Sequence, residues 1–87
     1  MKHFEYVIRD EVGIHARPAG LLVKEAKKYA SKITIRKGDK IAEATKLMAV
    51  MALGVKCGEK IEIMVEGEDE ESAVCEIQRF FEETMYG

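Results

Sequence analysis

The chain lacks any apolar run of the roughly twenty residues that a bilayer-spanning helix requires. Its opening, Met1-Lys2-His3-Phe4-Glu5, places an acid where a secretory signal would need an apolar stretch. Cysteine is scarce. Cys57 and Cys75 are the only two, far apart and without CxxC spacing. A disulfide between them is arithmetically possible, but a reduced and buried Cys75 is the preferred reading, and the cytoplasm the expected compartment. A surplus of positive charge is missing too: 14 basic against 16 acidic residues leave a formal net charge of −2. A general nucleic-acid binder needs a clear basic excess to neutralise phosphates, so only a local basic patch stays open. There is no internal repeat, low-complexity tract or linker, no GxxxxGK[ST] nucleotide loop and no catalytic carboxylate pair. His3 and His15 have no third ligand at metal spacing, so neither metal nor cofactor is expected.

What the chain does have suits one small domain over residues 1–87. Apolar residues make up 47% of it, enough for a modest core without staples. Charged residues make up 34%, above the usual quarter or so, which implies a heavily solvated surface.

Apolar side chains at Phe4, Tyr6 and Ile8 alternate and predict a strand over 3–8 with one buried face. Asp10 to Gly13 reads as a loop. From Ala16 to Tyr29 the period changes, with Ala19, Leu22, Val23 and Ala26 forming the stripe of an amphipathic helix. Lys24, Lys27 and Lys28 lie off that stripe, on a solvated face. Ile33 and Ile35 mark a second strand, Lys37 to Lys40 a turn, and Ile41 to Glu43 a third strand. Lys46 to Leu53 reads as an apolar helix, with Thr45 as N-cap and Gly54 closing it in the left-handed conformation. Ile61, Ile63 and Val65 mark a fourth strand. The last helix opens with acids at 68–71, which suit its positive end, and buries Ala73, Val74, Ile77, Phe80 and Phe81. The order βαββαβα, with one apolar side per element, predicts a short-stranded antiparallel sheet with helices on one face. His3 is expected on the surface of an edge strand.

The strongest chemical signal is Gly13-Ile14-His15-Ala16-Arg17-Pro18-Ala19-Gly20. Here a histidine stands where a loop becomes a helix. Pro18 is tolerated because first-turn N–H groups have no intrahelical partners. Two starts fit: Ala16 by periodicity, Arg17 or later by the restriction on residues before proline. Free N–H groups from Ala16 onward and the positive helix end converge on His15, and together they favour an anion. Arg17 adds a planar fork of donors for phosphate oxygens and a charge that would stabilise a phosphoryl group in flight. An ordinary solvated histidine at a helix start fits the same residues.

At this motif the chain resembles the HPr family, the histidine phosphocarriers of the sugar phosphotransferase system. The resemblance continues through Lys46-Leu47-Met48-Ala49-Val50-Met51-Ala52-Leu53-Gly54 and the acid-led helix over 68–81. It implies an open-faced β-sandwich, a four-stranded antiparallel sheet with three helices on one face. It further implies that a monomer takes phosphate on the δ1 nitrogen of His15 from enzyme I, charged by phosphoenolpyruvate, and passes it to IIA domains of sugar permeases. It is a carrier rather than an enzyme, and no membrane insertion is implied. Gly20, Leu47, Met48 and Met51 would form an apolar docking patch, although Met48 and Met51 could equally fill the core. Two residues depart from the family pattern. Lys46 occupies the place of a regulatory serine that HPr kinase phosphorylates in many members, which predicts that this switch is absent. Val12 replaces a small polar residue near the phosphate. A regulatory binding module with a vestigial histidine, or a carrier in a nitrogen or dihydroxyacetone-kinase phosphorelay, is the alternative.

Overall fold

A computed structural model describes residues 1–11, 13, 14 and 16–84. The elements run β1 (Lys2–Val7), α1 (Ala16–Ala26), β2 (Lys32–Lys37), β3 (Lys40–Glu43), α2 (Leu47–Ala52), β4 (Lys60–Glu66) and α3 (Glu70–Thr84). All four strands join one antiparallel sheet in the order β1-β4-β2-β3. The expected element order and fold class are therefore found.

The register explains why the sheet has one dry face. Phe4 and Ile35 both pair with Ile63, Tyr6 pairs with Ile61, Ile33 with Val65, and Ala42 with Ile35. A period of two puts all of these on one side. There they form one core with Ala19, Leu22 and Ala26 of α1, Val50 of α2, Leu53 just beyond it, and Ala73, Ile77 and Phe81 of α3. Phe81 is fully buried, with Phe4, Tyr6 and Phe80 rings 5.2–6.1 Å away and its carbonyl accepting the Tyr6 hydroxyl at 2.9 Å. The other face is wet. It carries ion pairs such as Arg36–Glu62 at 2.6 Å and Lys60–Glu5 at 3.6 Å. His3 lies on edge strand β1, as expected, 3.3 Å from Glu62.

Three details differ from the sequence reading, and one open boundary is decided. The first helix ends at Ala26 rather than Tyr29. Lys28 and Tyr29 donate three residues back, to Glu25 and Ala26, so the chain tightens into a turn. Its start is Ala16, two residues before Pro18, whose missing N–H falls in the first turn and costs no helix bond. Thr45 is not the cap of α2. Lys46 occupies that position with extended backbone (φ −112°, ψ 101°), and no side chain caps the helix. Cys75 is exposed, not buried, and both cysteines are free thiols. Ala73, Ile77 and Phe81 follow one another at four-residue steps, and Cys75, two residues past Ala73, lies on the opposite side of α3.

Candidate functional site

The loop between β1 and α1 is shaped by backbone contacts. Ile8 remains in the core at 1% exposure, its N–H donating to the Glu59 carbonyl and its own carbonyl accepting from Gly58. Gly13 then turns the chain, donating to Asp10 at 2.9 Å, with φ +83°. A Cβ on Gly13 would lie 2.2 Å from the Val55 carbonyl oxygen, so only glycine fits. Directly after it, the Ile14 N–H donates to that same Val55 carbonyl at 2.9 Å, and the Ile14 side chain is buried. The segment 54–59 is thus the floor on which the motif rests. His15 and Val12 lie outside the described residues.

At the other end of the motif α1 begins. Ala16 and Arg17 are exposed, while Pro18 and Ala19 are buried and anchor the first turn. No acid occupies that turn, so nothing within it neutralises the positive helix end. Arg17 makes no ion pair with another described residue.

The proposed docking row divides. Leu47 is 40% exposed and Met48 76%, whereas Met51 is half-buried against the core beside buried Val50. Gly20 is half-buried on α1, and a Cβ there would meet nothing within 4 Å. Helices α1 and α2 pack together, so these residues share the helical layer. Leu21, 37% exposed, was not singled out from sequence. Its signal was available: a large apolar residue beside, rather than on, the Ala19–Leu22–Ala26 stripe.

A second cluster closes α2. Gly54 adopts φ +62° and donates to Met51, as a glycine past a helix end should. Lys37 reaches across from β2 to the Leu53 and Gly54 carbonyls at 3.3 and 3.0 Å, and to Glu59 at 3.1 Å. Glu59 also accepts the Lys56 N–H at 2.7 Å. That backbone donor, together with the Lys37 ammonium, holds the Glu59 carboxyl below its usual range. Among the described residues no His, Cys, Asp and Glu side chains group as a metal site would require. Nor is any described helix long and apolar enough to cross a membrane.

Buried Gly13 and Ile14 lead toward a helix start whose first turn contains no acid, which is the setting the sequence motif calls for. Residues 2–83 match the family model of the PTS HPr component phosphorylation site. The chain belongs to the HPr family. It is 42% identical over 79 residues to the phosphocarrier protein HPr of Mycoplasma capricolum, covering 91% of this chain and 89% of that one. It also superimposes on the solved histidine-containing phosphocarrier protein of a Mycoplasma with a TM-score of 0.90, at 38% identity and 97% coverage of both chains. A third relative, the multiphosphoryl transfer protein of Salmonella typhimurium, is 44% identical over 73 residues. This match takes in 80% of this chain and 19% of that longer one. The HPr match spans the Gly13–Gly20 motif, the α2 row and the 54–59 floor together.

Proposed function

We propose that this HPr-family protein is a stoichiometric phosphoryl carrier that accepts its phosphoryl group on His15. The donor is phosphorylated enzyme I, charged by phosphoenolpyruvate, and the acceptors are IIA domains of sugar permeases. In the first transfer the His15 δ1 nitrogen forms a bond to phosphorus as the bond to the enzyme I group breaks. In the second the new P–N bond breaks as the IIA acceptor attacks. The protein is itself the acceptor in the first transfer and the donor in the second, one phosphoryl group per molecule, which makes it a carrier rather than an enzyme.

The observation that carries this reading is the start of α1 at Ala16, immediately after His15, with exposed Ala16 and Arg17 and no acid in the turn. First-turn N–H groups and the helix dipole favour the dianion that arrives, and the Arg17 guanidinium offers two parallel donors. Charge spread over the transferring phosphoryl oxygens is what such donors stabilise. Exposed Leu47 and Met48, with Gly20 and the inner Met51, form the apolar surface on which enzyme I and IIA domains dock in turn. A flexible thioether suits a surface that meets several partners. The protein works as a monomer in the cytoplasm.

Incubation with phosphoenolpyruvate and a cognate enzyme I should add one phosphoryl group, labile in acid and stable in base. His15→Ala should abolish it. Undiminished labelling of His15→Ala would refute the assignment.

A further inference from the structure

Lys37 belongs neither to the Gly13–Gly20 motif nor to the α2 row, yet its ammonium is fully occupied at their junction. It has three N–H donors. Three acceptors surround it: the Leu53 carbonyl at 3.3 Å, the Gly54 carbonyl at 3.0 Å and Glu59 Oε1 at 3.1 Å. Its side chain is 25% exposed, low for a lysine.

The helix it closes needs such help. With six residues, α2 is too short to be stable on its own. It has no side-chain cap at its start, no acid in its first turn and no base in its last. A cation at its C-terminal carbonyls is the one charge that complements its dipole there, and β2 supplies it.

The consequence reaches the motif. Gly54 and Glu59 are the two ends of the floor segment, and Lys37 holds both. Between them Glu59 accepts the Lys56 N–H, and Val55 presents its carbonyl to Ile14, the residue before His15. We propose that Lys37 is a positioning residue for phosphoryl transfer: it fixes the 54–59 floor, and through Val55 and Ile14 it fixes the approach of His15. This rests on His15 being the acceptor.

The test compares wild type, Lys37→Met and Lys37→Arg as substrates of phosphorylated enzyme I, with His15→Ala as control. Lys37→Met keeps length and removes all three donors. Its kcat should fall roughly tenfold, within the hundredfold that a misplacement of about 1 Å can cost. KM for the protein should stay within about twofold, because Lys37 is outside the docking row. A residue important only for folding would leave kcat per folded molecule unchanged. Lys37→Arg, which can still donate to two carbonyls and pair with Glu59, should recover most of the rate. Exchange of the Ile14 amide proton should speed up in Lys37→Met alone. If Lys37→Met does not fold, Lys37→Gln, which keeps a donor and loses the charge, is read the same way. Wild-type kcat and Ile14 exchange in the folded variant would overturn the proposal. Labelling that persists in His15→Ala would instead overturn the acceptor assignment, so the two failures are distinct.

Discussion

The two ends of the sheet are held by different means. At the end where Lys2 pairs with Val65 and Lys32 with Glu66, side chains tie the loops. Asp69 accepts from the Ala30 and Ser31 N–H groups and from the Ser31 hydroxyl, and Glu70 accepts from the Gly67 N–H. The Ser31 hydroxyl, followed by the Ala30 N–H, holds the Asp69 carboxyl below its usual range. At the end where Val7 pairs with Lys60, backbone bonds between residues 8–14 and 55–59 carry the load, with Lys37 and Glu59 as side-chain support. Arg17, Lys46, Leu47 and Met48 consequently remain exposed around the motif.

Each end also contains a glycine that cannot carry a Cβ, and these two positions offer the largest test of the contrast. Gly13 faces the Val55 carbonyl oxygen at 2.2 Å, and Gly67 faces the Ser31 Cα at 2.6 Å. Gly13→Ala adds strain at φ +83° to a backbone overlap and should destabilise by roughly 3–5 kcal/mol. Gly67→Ala should cost roughly 2–4 kcal/mol for similar reasons. The discriminating measurement is transfer per folded molecule, taken well below the unfolding midpoint. Gly67→Ala should transfer at the wild-type rate, whereas Gly13→Ala should be slow even when folded. Equal rates for both would mean that the backbone-built end has no special relation to the chemistry.

Next in size is Arg17, which is exposed in the first turn of α1. Arg17→Ala should leave stability within about 0.5 kcal/mol, as for surface sites without partners. It should slow transfer by about 2–4 kcal/mol of transition-state stabilisation, the usual worth of a pre-organised donor. Arg17→Lys should recover part, because a point charge lacks the planar fork. A thermal shift comparable to that of Gly67→Ala would place Arg17 among the structural residues instead.

Much of this arrangement was legible in the sequence. Alternation at Phe4-Tyr6-Ile8 and Ile61-Ile63-Val65 located the strands because one face of the sheet is dry and the other wet. Gly13, Pro18 and Gly54 marked their turns by backbone rules that act locally. What escaped notice depends on contacts distant in sequence. Nothing around Lys37 in the chain indicates that its ammonium meets carbonyls 16 and 17 residues away. The Asp69–Ser31 knot, 38 residues apart, is equally silent. Cys75 is different. Its exposure follows from the four-residue spacing of Ala73, Ile77 and Phe81, which outweighs the general tendency of cysteine to be buried.

Lys46 should show the smallest effects, and it tests whether the exposed end is tuned for encounter. It stands at the N-cap of α2 in extended backbone, and its side chain makes no capping bond. Serine in this position can accept from a first-turn N–H, so Lys46→Ser should stabilise the protein by about 1 kcal/mol. That gain measures what lysine gives up. What it contributes is a positive charge beside Leu47 and Met48 that no HPr kinase can phosphorylate. If the surface of enzyme I opposite it is acidic, the charge speeds encounter and fades with salt as screening shortens its reach. Lys46→Glu should therefore lower the association rate at low ionic strength and approach wild type at about 1 M salt, where screening acts within about 3 Å. With HPr kinase and ATP, wild type should stay unmodified, whereas Lys46→Ser supplies the hydroxyl that the kinase recognises in other family members. Thr45, freed from the capping role by the position of Lys46, is the nearest hydroxyl that could substitute. ATP-dependent phosphorylation of Thr45 with inhibited transfer would show a switch displaced by one residue. A salt-independent rate for Lys46→Glu would show that docking on α2 is apolar alone.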